Sequence, residues 1–143
     1  MEMTGQQIMV VKRSWGIFRN IDPILVGEVF YGRIFLKAPG IKKMFPVSME
    51  AQYGKIIDML SLMVARLERM DELTNEISAL AQRHVQYGVK RGHYEIVGEA
   101  LLWTLEQGLG RDWTDEVKEA WTSCFAVFSD KMITASNYKE LKR

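Results

Sequence analysis

The sequence predicts an all-helical protein. Proline occurs only at positions 23, 39 and 46, so the last two thirds of the chain contain no residue that interrupts a helix in this way. Apolar residues recur every three or four positions, the period of an α-helix. A clear example is the series Ile56, Leu60, Met63 and Leu67.

Length and composition favour one domain over residues 1–143, large enough to bury a core without disulfides. The formal net charge of +1 gives no reason to expect nucleic acid or an anionic membrane as a partner. Apolar runs such as 59–65 are much shorter than the roughly twenty residues that span a bilayer. Because Cys124 is the single cysteine and no signal peptide is evident, a cytoplasmic location is expected.

The first two helices have recognisable start signals. Thr4 and Gln7 have the spacing of a capping box, which predicts a helix that starts at Thr4 and ends before Asp22. Asp22 is a suitable N-cap and Pro23 a suitable first residue for the second helix.

A corner is expected between the second helix and the next long one. Pro39 favours a short helical turn ending near Met44 and Phe45, and Pro46 disfavours helical geometry at the residue before it. Ser48 is predicted to cap the following long helix.

The second half of the chain predicts three further helices. One runs from about Asp71 to Tyr87 and ends at Gly88, which can adopt the left-handed geometry of a helix C-terminus. After a corner at 89–92 come the last two helices, separated by 108–110, with Thr114 as a cap.

His84 is the most informative single residue, because it is predicted to face the core from an apolar helical stripe. A histidine in such a place is more often a hydrogen-bonded core residue than a metal ligand, but its neutral imidazole makes it a candidate ligand. The other members of the stripe are Leu73, Ile77, Leu80 and Tyr87.

Three segments, taken together, resemble the globin family, especially bacterial single-domain hemoglobins and the globin domain of flavohemoglobins. They are 30–35, with the sequence FYGRIF, the pair Phe45-Pro46, and 84–102. The resemblance implies a globin fold of about seven to eight helices that holds one b-type heme. No Cys-x-x-Cys-His motif is present, so the heme is expected to be bound noncovalently.

The resemblance assigns His84 as the proximal ligand of the heme iron, which leaves the opposite position open for a small gas. Tyr31 and Gln52 are implied to donate hydrogen bonds to the gas, with Ile56 as an apolar wall and Phe45 packing on the porphyrin. A corner of different length would place Lys55, instead of Gln52, at the distal position.

On the proximal side the resemblance implies that Tyr94 and Val97 contact the heme or His84. In flavohemoglobin domains a glutamate of the last helix works with the tyrosine to make the proximal histidine more electron-rich. An ungapped alignment on Trp121 puts Ser136 at that place, which argues against peroxidase-like activation of oxygen.

The function expected from the resemblance is reversible binding of oxygen, nitric oxide and carbon monoxide by a monomer or weak homodimer. One alternative is nitric oxide dioxygenation, with electrons from a separate reductase. The other is a heme-free helical module for interaction or sensing, in which His84 and Tyr31 are only structural.

Overall fold

The computed structural model describes residues 3–136, and within that range it is built from helices without a β-strand. Six α-helices and three 3-10 segments agree with the expected seven to eight helices when the two longer 3-10 segments are counted. The α-helices are α1 (Gly5–Phe18), α2 (Pro23–Lys37), α3 (Glu50–Ala65), α4 (Thr74–Gln86), α5 (His93–Leu109) and α6 (Asp115–Ser136). The 3-10 segments are Pro39–Met44, Leu67–Leu73 and Gly110–Asp112.

The predicted start signals of three helices are confirmed. Thr4 and Gln7 form both bonds of a capping box at the start of α1. The Asp22 carboxylate accepts a hydrogen bond from the Ile24 amide at the start of α2. Thr114 accepts one from the Val117 amide at the start of α6.

Two predicted helix starts are wrong. Ser48 does not cap α3, because Met49 takes the N-cap position with helical backbone angles and no side-chain hydrogen bond. α4 begins at Thr74 and not near Asp71, because the preceding residues form a separate 3-10 segment with a kink at Arg69.

α1 and α6 form the base of the fold by packing against each other. Trp15 and Trp121 lie between them with ring centroids 6.0 Å apart, and both are almost fully buried. The Trp121 indole nitrogen donates to the Ser14 hydroxyl at 2.8 Å. This pairing satisfies two buried polar groups in the middle of an apolar contact.

The helices α3 and α4, which carry predicted site residues, pack against different helices of the fold. α3 packs on α1 and α2, whereas α4 packs on α6, and the segment 67–73 joins them. Among the described residues α3 and α4 make no extensive contact with each other. None of the helices within residues 3–136 has the length and apolar character needed to cross a bilayer.

We predict opposite effects on stability for alanine at two helical glycines. A Cβ on Gly108 would lie 2.4 Å from Cε1 of Phe18, a fully buried side chain that has little room to move. Gly108→Ala should therefore lower the free energy of unfolding by about 1–3 kcal/mol. A Cβ on Gly16 meets nothing within 4 Å, so Gly16→Ala should raise it by up to about 1 kcal/mol.

Urea unfolding followed by circular dichroism measures both changes under identical conditions. Equal midpoints for the two variants would contradict the packing of Phe18 described above.

Candidate functional site

The imidazole of His84 is held by a hydrogen bond to its own helix. Its Nδ1 lies 2.8 Å from the carbonyl oxygen of Leu80, one turn earlier in α4. Because a carbonyl can only accept, Nδ1 carries the proton, and the Nε2 lone pair stays available as a metal ligand.

The turn that carries His84 is closed by a complete Schellman motif. Gly88 has a φ of 93°, as predicted for the end of this helix. The Val89 amide donates to the His84 carbonyl, and the Gly88 amide donates to the Val85 carbonyl, each at 3.0 Å. Both the backbone and the ring of His84 are therefore fixed by hydrogen bonds.

Burial lowers the pKa of His84, the hydrogen bond to the Leu80 carbonyl partly offsets this effect, and Arg83 lowers the pKa further. The neutral form, which is the ligating form, is thereby favoured. The predicted apolar stripe is only partly correct. Tyr87 is 53% exposed and contacts the imidazole ring at a centroid distance of 5.8 Å.

Tyr31 lies buried on α2 in a group of aromatic rings. Phe30 and Phe45 contact it edge-on, with centroid distances of 4.9 and 5.4 Å. Phe35 and Tyr53 lie nearly parallel to it, at 6.2 and 5.9 Å. The ring is therefore surrounded by side chains of α2, α3 and the corner after Met44.

The Tyr31 hydroxyl stays protonated throughout the physiological range. Burial raises its pKa to about 12, and the neighbouring Tyr53 contributes to the increase. Among residues 3–136 the hydroxyl has no hydrogen-bond acceptor, and it is not sealed from the surroundings. It is thus a neutral donor free to bond to a small molecule.

The remaining predicted site residues lie on three different elements. Phe45 is half-buried at the corner, Gln52 and Ile56 are half-buried one turn apart on α3, and Lys55 is exposed. On α5, Tyr94 is buried in the first turn and Val97 is half-buried.

Tyr53 is a further member of this aromatic group that no sequence pattern indicated. Its ring packs directly over Gly27 of α2, four residues before Tyr31. A glycine on the inward face of an otherwise apolar helix is a signal of close packing, but it does not indicate which side chain fills the space.

Ser136, the last described residue, does not offer a carboxylate to the proximal side. Its side chain is buried, and its hydroxyl donates to the Met132 carbonyl of the same helix at 2.7 Å.

Comparison with known proteins identifies the family. Residues 28–132 match the globin family model. A protein from Aquifex aeolicus described as globin-like is 33% identical over 132 residues, which are 92% of this chain and 93% of that protein. A flavohemoprotein from Vibrio cholerae is 25% identical over 99% of this chain, which spans only 36% of that longer protein.

A solved structure shows the same fold. The bacterial globin from Campylobacter jejuni superposes with a TM-score of 0.83 at 23% identity, over 98% of this chain and 100% of that one. The family match and the globin-like relative together show that this chain is a member of the globin family of heme proteins.

Proposed function

We propose that this globin binds oxygen and related diatomic gases reversibly at one noncovalent b-type heme, with His84 as the axial ligand. The observation that carries the proposal is the fixed imidazole. Its Nδ1–H donates a hydrogen bond to the Leu80 carbonyl, so the unprotonated Nε2 keeps a lone pair that can bind a metal. Heme held by His84 would supply a ferrous iron that can bind a diatomic gas reversibly.

The proposed lining of the heme is apolar, as a planar apolar group requires. Phe45, Ile56 and Val97 are half-buried apolar residues on three separate elements. In the proposed site they would make van der Waals contact with the porphyrin and exclude water from it. The helices α3 and α4 do not pack extensively on each other, which allows such a group to lie between them.

Tyr31 and Gln52 are the proposed distal donors. The protonated phenol of Tyr31 would donate a hydrogen bond to a gas molecule in the pocket, since it has no competing acceptor among the described residues. Half-burial of Gln52 and exposure of Lys55 favour Gln52 as the second donor.

His84→Gly should remove the axial ligand and abolish stable heme binding. After reconstitution with hemin, the wild type should show a stoichiometric Soret band that shifts with carbon monoxide. The variant should lose that band and regain it when imidazole is added, because free imidazole can occupy the same space.

His93→Gln is the matched control, since His93 is also half-buried but binds the Lys90 amide at the start of α5. A wild-type protein that takes up no heme would contradict the proposal and favour the heme-free module.

Tyr31→Phe should accelerate oxygen release about fivefold to tenfold, because one hydrogen bond of about 1 kcal/mol or slightly more is lost. Gln52→Leu should act in the same direction, and Lys55→Gln should leave the rate within about twofold. Stopped-flow measurement of oxygen dissociation gives all three rates. An effect of Lys55→Gln without one of Gln52→Leu would reverse the distal assignment.

A second candidate function is nitric oxide dioxygenation, in which nitric oxide, oxygen and one electron give nitrate. It requires an external electron donor, and the charge distribution favours one with an acidic surface. Residues 29–49 and 77–94 contain no Asp or Glu. The two segments meet where the Met44 methyl carbon lies 3.9 Å from the Cβ position of Gly88.

The exposed cations of these segments form no ion pair within residues 3–136, so their charge is available to a partner. They are Lys37, Lys42, Lys43, Arg83, Lys90 and Arg91.

Reduction of the ferric protein by an acidic flavodoxin tests this candidate. The bimolecular rate should fall steeply with salt and fall about threefold to tenfold in Lys42→Gln/Lys43→Gln, because screening or removing charge weakens steering. Lys118→Gln/Lys131→Gln on α6 is the control pair. A rate independent of salt would contradict an acidic electron donor. No nitrate formed from nitric oxide and oxygen during turnover would contradict the dioxygenase function itself.

A further inference from the structure

We propose that Tyr53 is a positioning residue that holds the Tyr31 phenol toward the bound gas, and that Gly27 provides the space for it. The inference rests on the proposed function, since it explains how the distal donor acquires a fixed direction. It assigns a role to two residues that lie outside the predicted set of site residues.

The contact between Gly27 and Tyr53 leaves no room for any side chain at position 27. A Cβ built on Gly27 would lie 2.3 Å from both Cγ and Cδ1 of Tyr53 and 2.5 Å from its Cβ. These are ring and root atoms of a side chain, not its flexible end. With any other residue at position 27, the Tyr53 ring would have to move.

Gly27 has no backbone reason to be glycine. Among the described glycines only Gly88 and Gly110 have positive φ, so the Gly27 backbone is one that alanine adopts easily. Glycine in a helix interior costs up to about 1 kcal/mol relative to alanine. The close approach of Tyr53 gives a packing reason that offsets this cost.

Tyr31 lies one helical turn after Gly27, so the ring seated on Gly27 also covers Tyr31. The two tyrosine rings have a centroid distance of 5.9 Å and an interplanar angle of 29°. Phe30 and Phe35 contact Tyr31 from its own helix and Phe45 from the corner. Tyr53 is thus the aromatic contact that α3, the helix of Gln52, makes with Tyr31.

This geometry couples the direction of one donor to the helix that carries the other. A hydrogen bond weakens steeply when its donor points away from the acceptor. A ring packed against the face of Tyr31 restricts its side-chain torsions, and therefore restricts the direction of its hydroxyl. Without Tyr53, the Tyr31 hydroxyl could still donate a hydrogen bond, but its direction would no longer be fixed.

Three variants test the proposal in the hemin-reconstituted protein. Tyr53→Leu removes the flat ring, Gly27→Ala displaces it, and Tyr53→Phe keeps the ring while removing only its hydroxyl. The first two should speed oxygen release roughly threefold to tenfold, whereas Tyr53→Phe should stay within about twofold. In the carbon monoxide complexes, the C–O stretching frequency should rise in the first two, because donation to the ligand oxygen is weakened.

A double-mutant cycle separates positioning of Tyr31 from general loosening of the pocket. In the Tyr31→Phe background, Tyr53→Leu should change oxygen release by less than about twofold, since the donor it positions is already gone. Equal effects of Tyr53→Leu in both backgrounds would overturn the proposal. If Gly27→Ala does not fold, the cycle with Tyr53→Leu still decides the outcome.

A measurement on the heme-free protein supplies an independent readout. Tyr31 ring flips, followed by NMR of labelled tyrosines and assigned with Tyr31→Phe, should be faster in Tyr53→Leu than in Tyr53→Phe. Equal flip rates would overturn the positioning role. An unchanged release rate in Tyr31→Phe would overturn the distal role itself, whereas an effect of Tyr31→Phe without one of Tyr53→Leu would overturn only this inference.

Discussion

The hydrogen bond between His84 Nδ1 and the Leu80 carbonyl is the constraint on which the chemistry of this fold depends. It selects one tautomer and leaves one nitrogen for a metal, and it does so without a charged partner. A neutral carbonyl attracts the Nδ1 proton less strongly than a carboxylate does. The bond to the carbonyl therefore makes the imidazole less electron-rich than a bond to a carboxylate would.

This constraint works only because the end of α4 is itself fixed. The left-handed Gly88 allows Val89 to turn back and bond to the His84 carbonyl. A side chain at position 88 would strain that turn and release the last turn of the helix, with the imidazole on it. The geometry of the ring therefore depends on a residue that has no side chain.

Local chemistry made much of the fold predictable from the sequence. The caps at Thr4, Asp22 and Thr114 and the helix end at Gly88 each involve residues within a few positions of one another. The start of α4 was not predictable in this way. The kink at Arg69 depends on how α3 and α4 pack on separate partners. The spacing of apolar residues does not indicate which helix packs on which.

The candidate site shows the same limit. His84, Tyr31, Phe45 and Gln52 were chosen by their resemblance to a known pattern, and their roles remain predictions for the experiments above. Tyr53 had no such pattern to indicate it, because its importance comes from a glycine 26 positions away in the sequence. Contacts between residues far apart in the sequence are the hardest to predict from local sequence patterns.

The kinked segment 67–73 also affects how this fold can change during evolution. In a continuous α-helix each added residue rotates everything beyond it by about 100°. If α3 and α4 were one helix, a single insertion would change the direction in which His84 points relative to Gln52. The non-helical backbone at Arg69 breaks that rotational phase, so insertions and deletions can accumulate between the two helices while each keeps its own orientation.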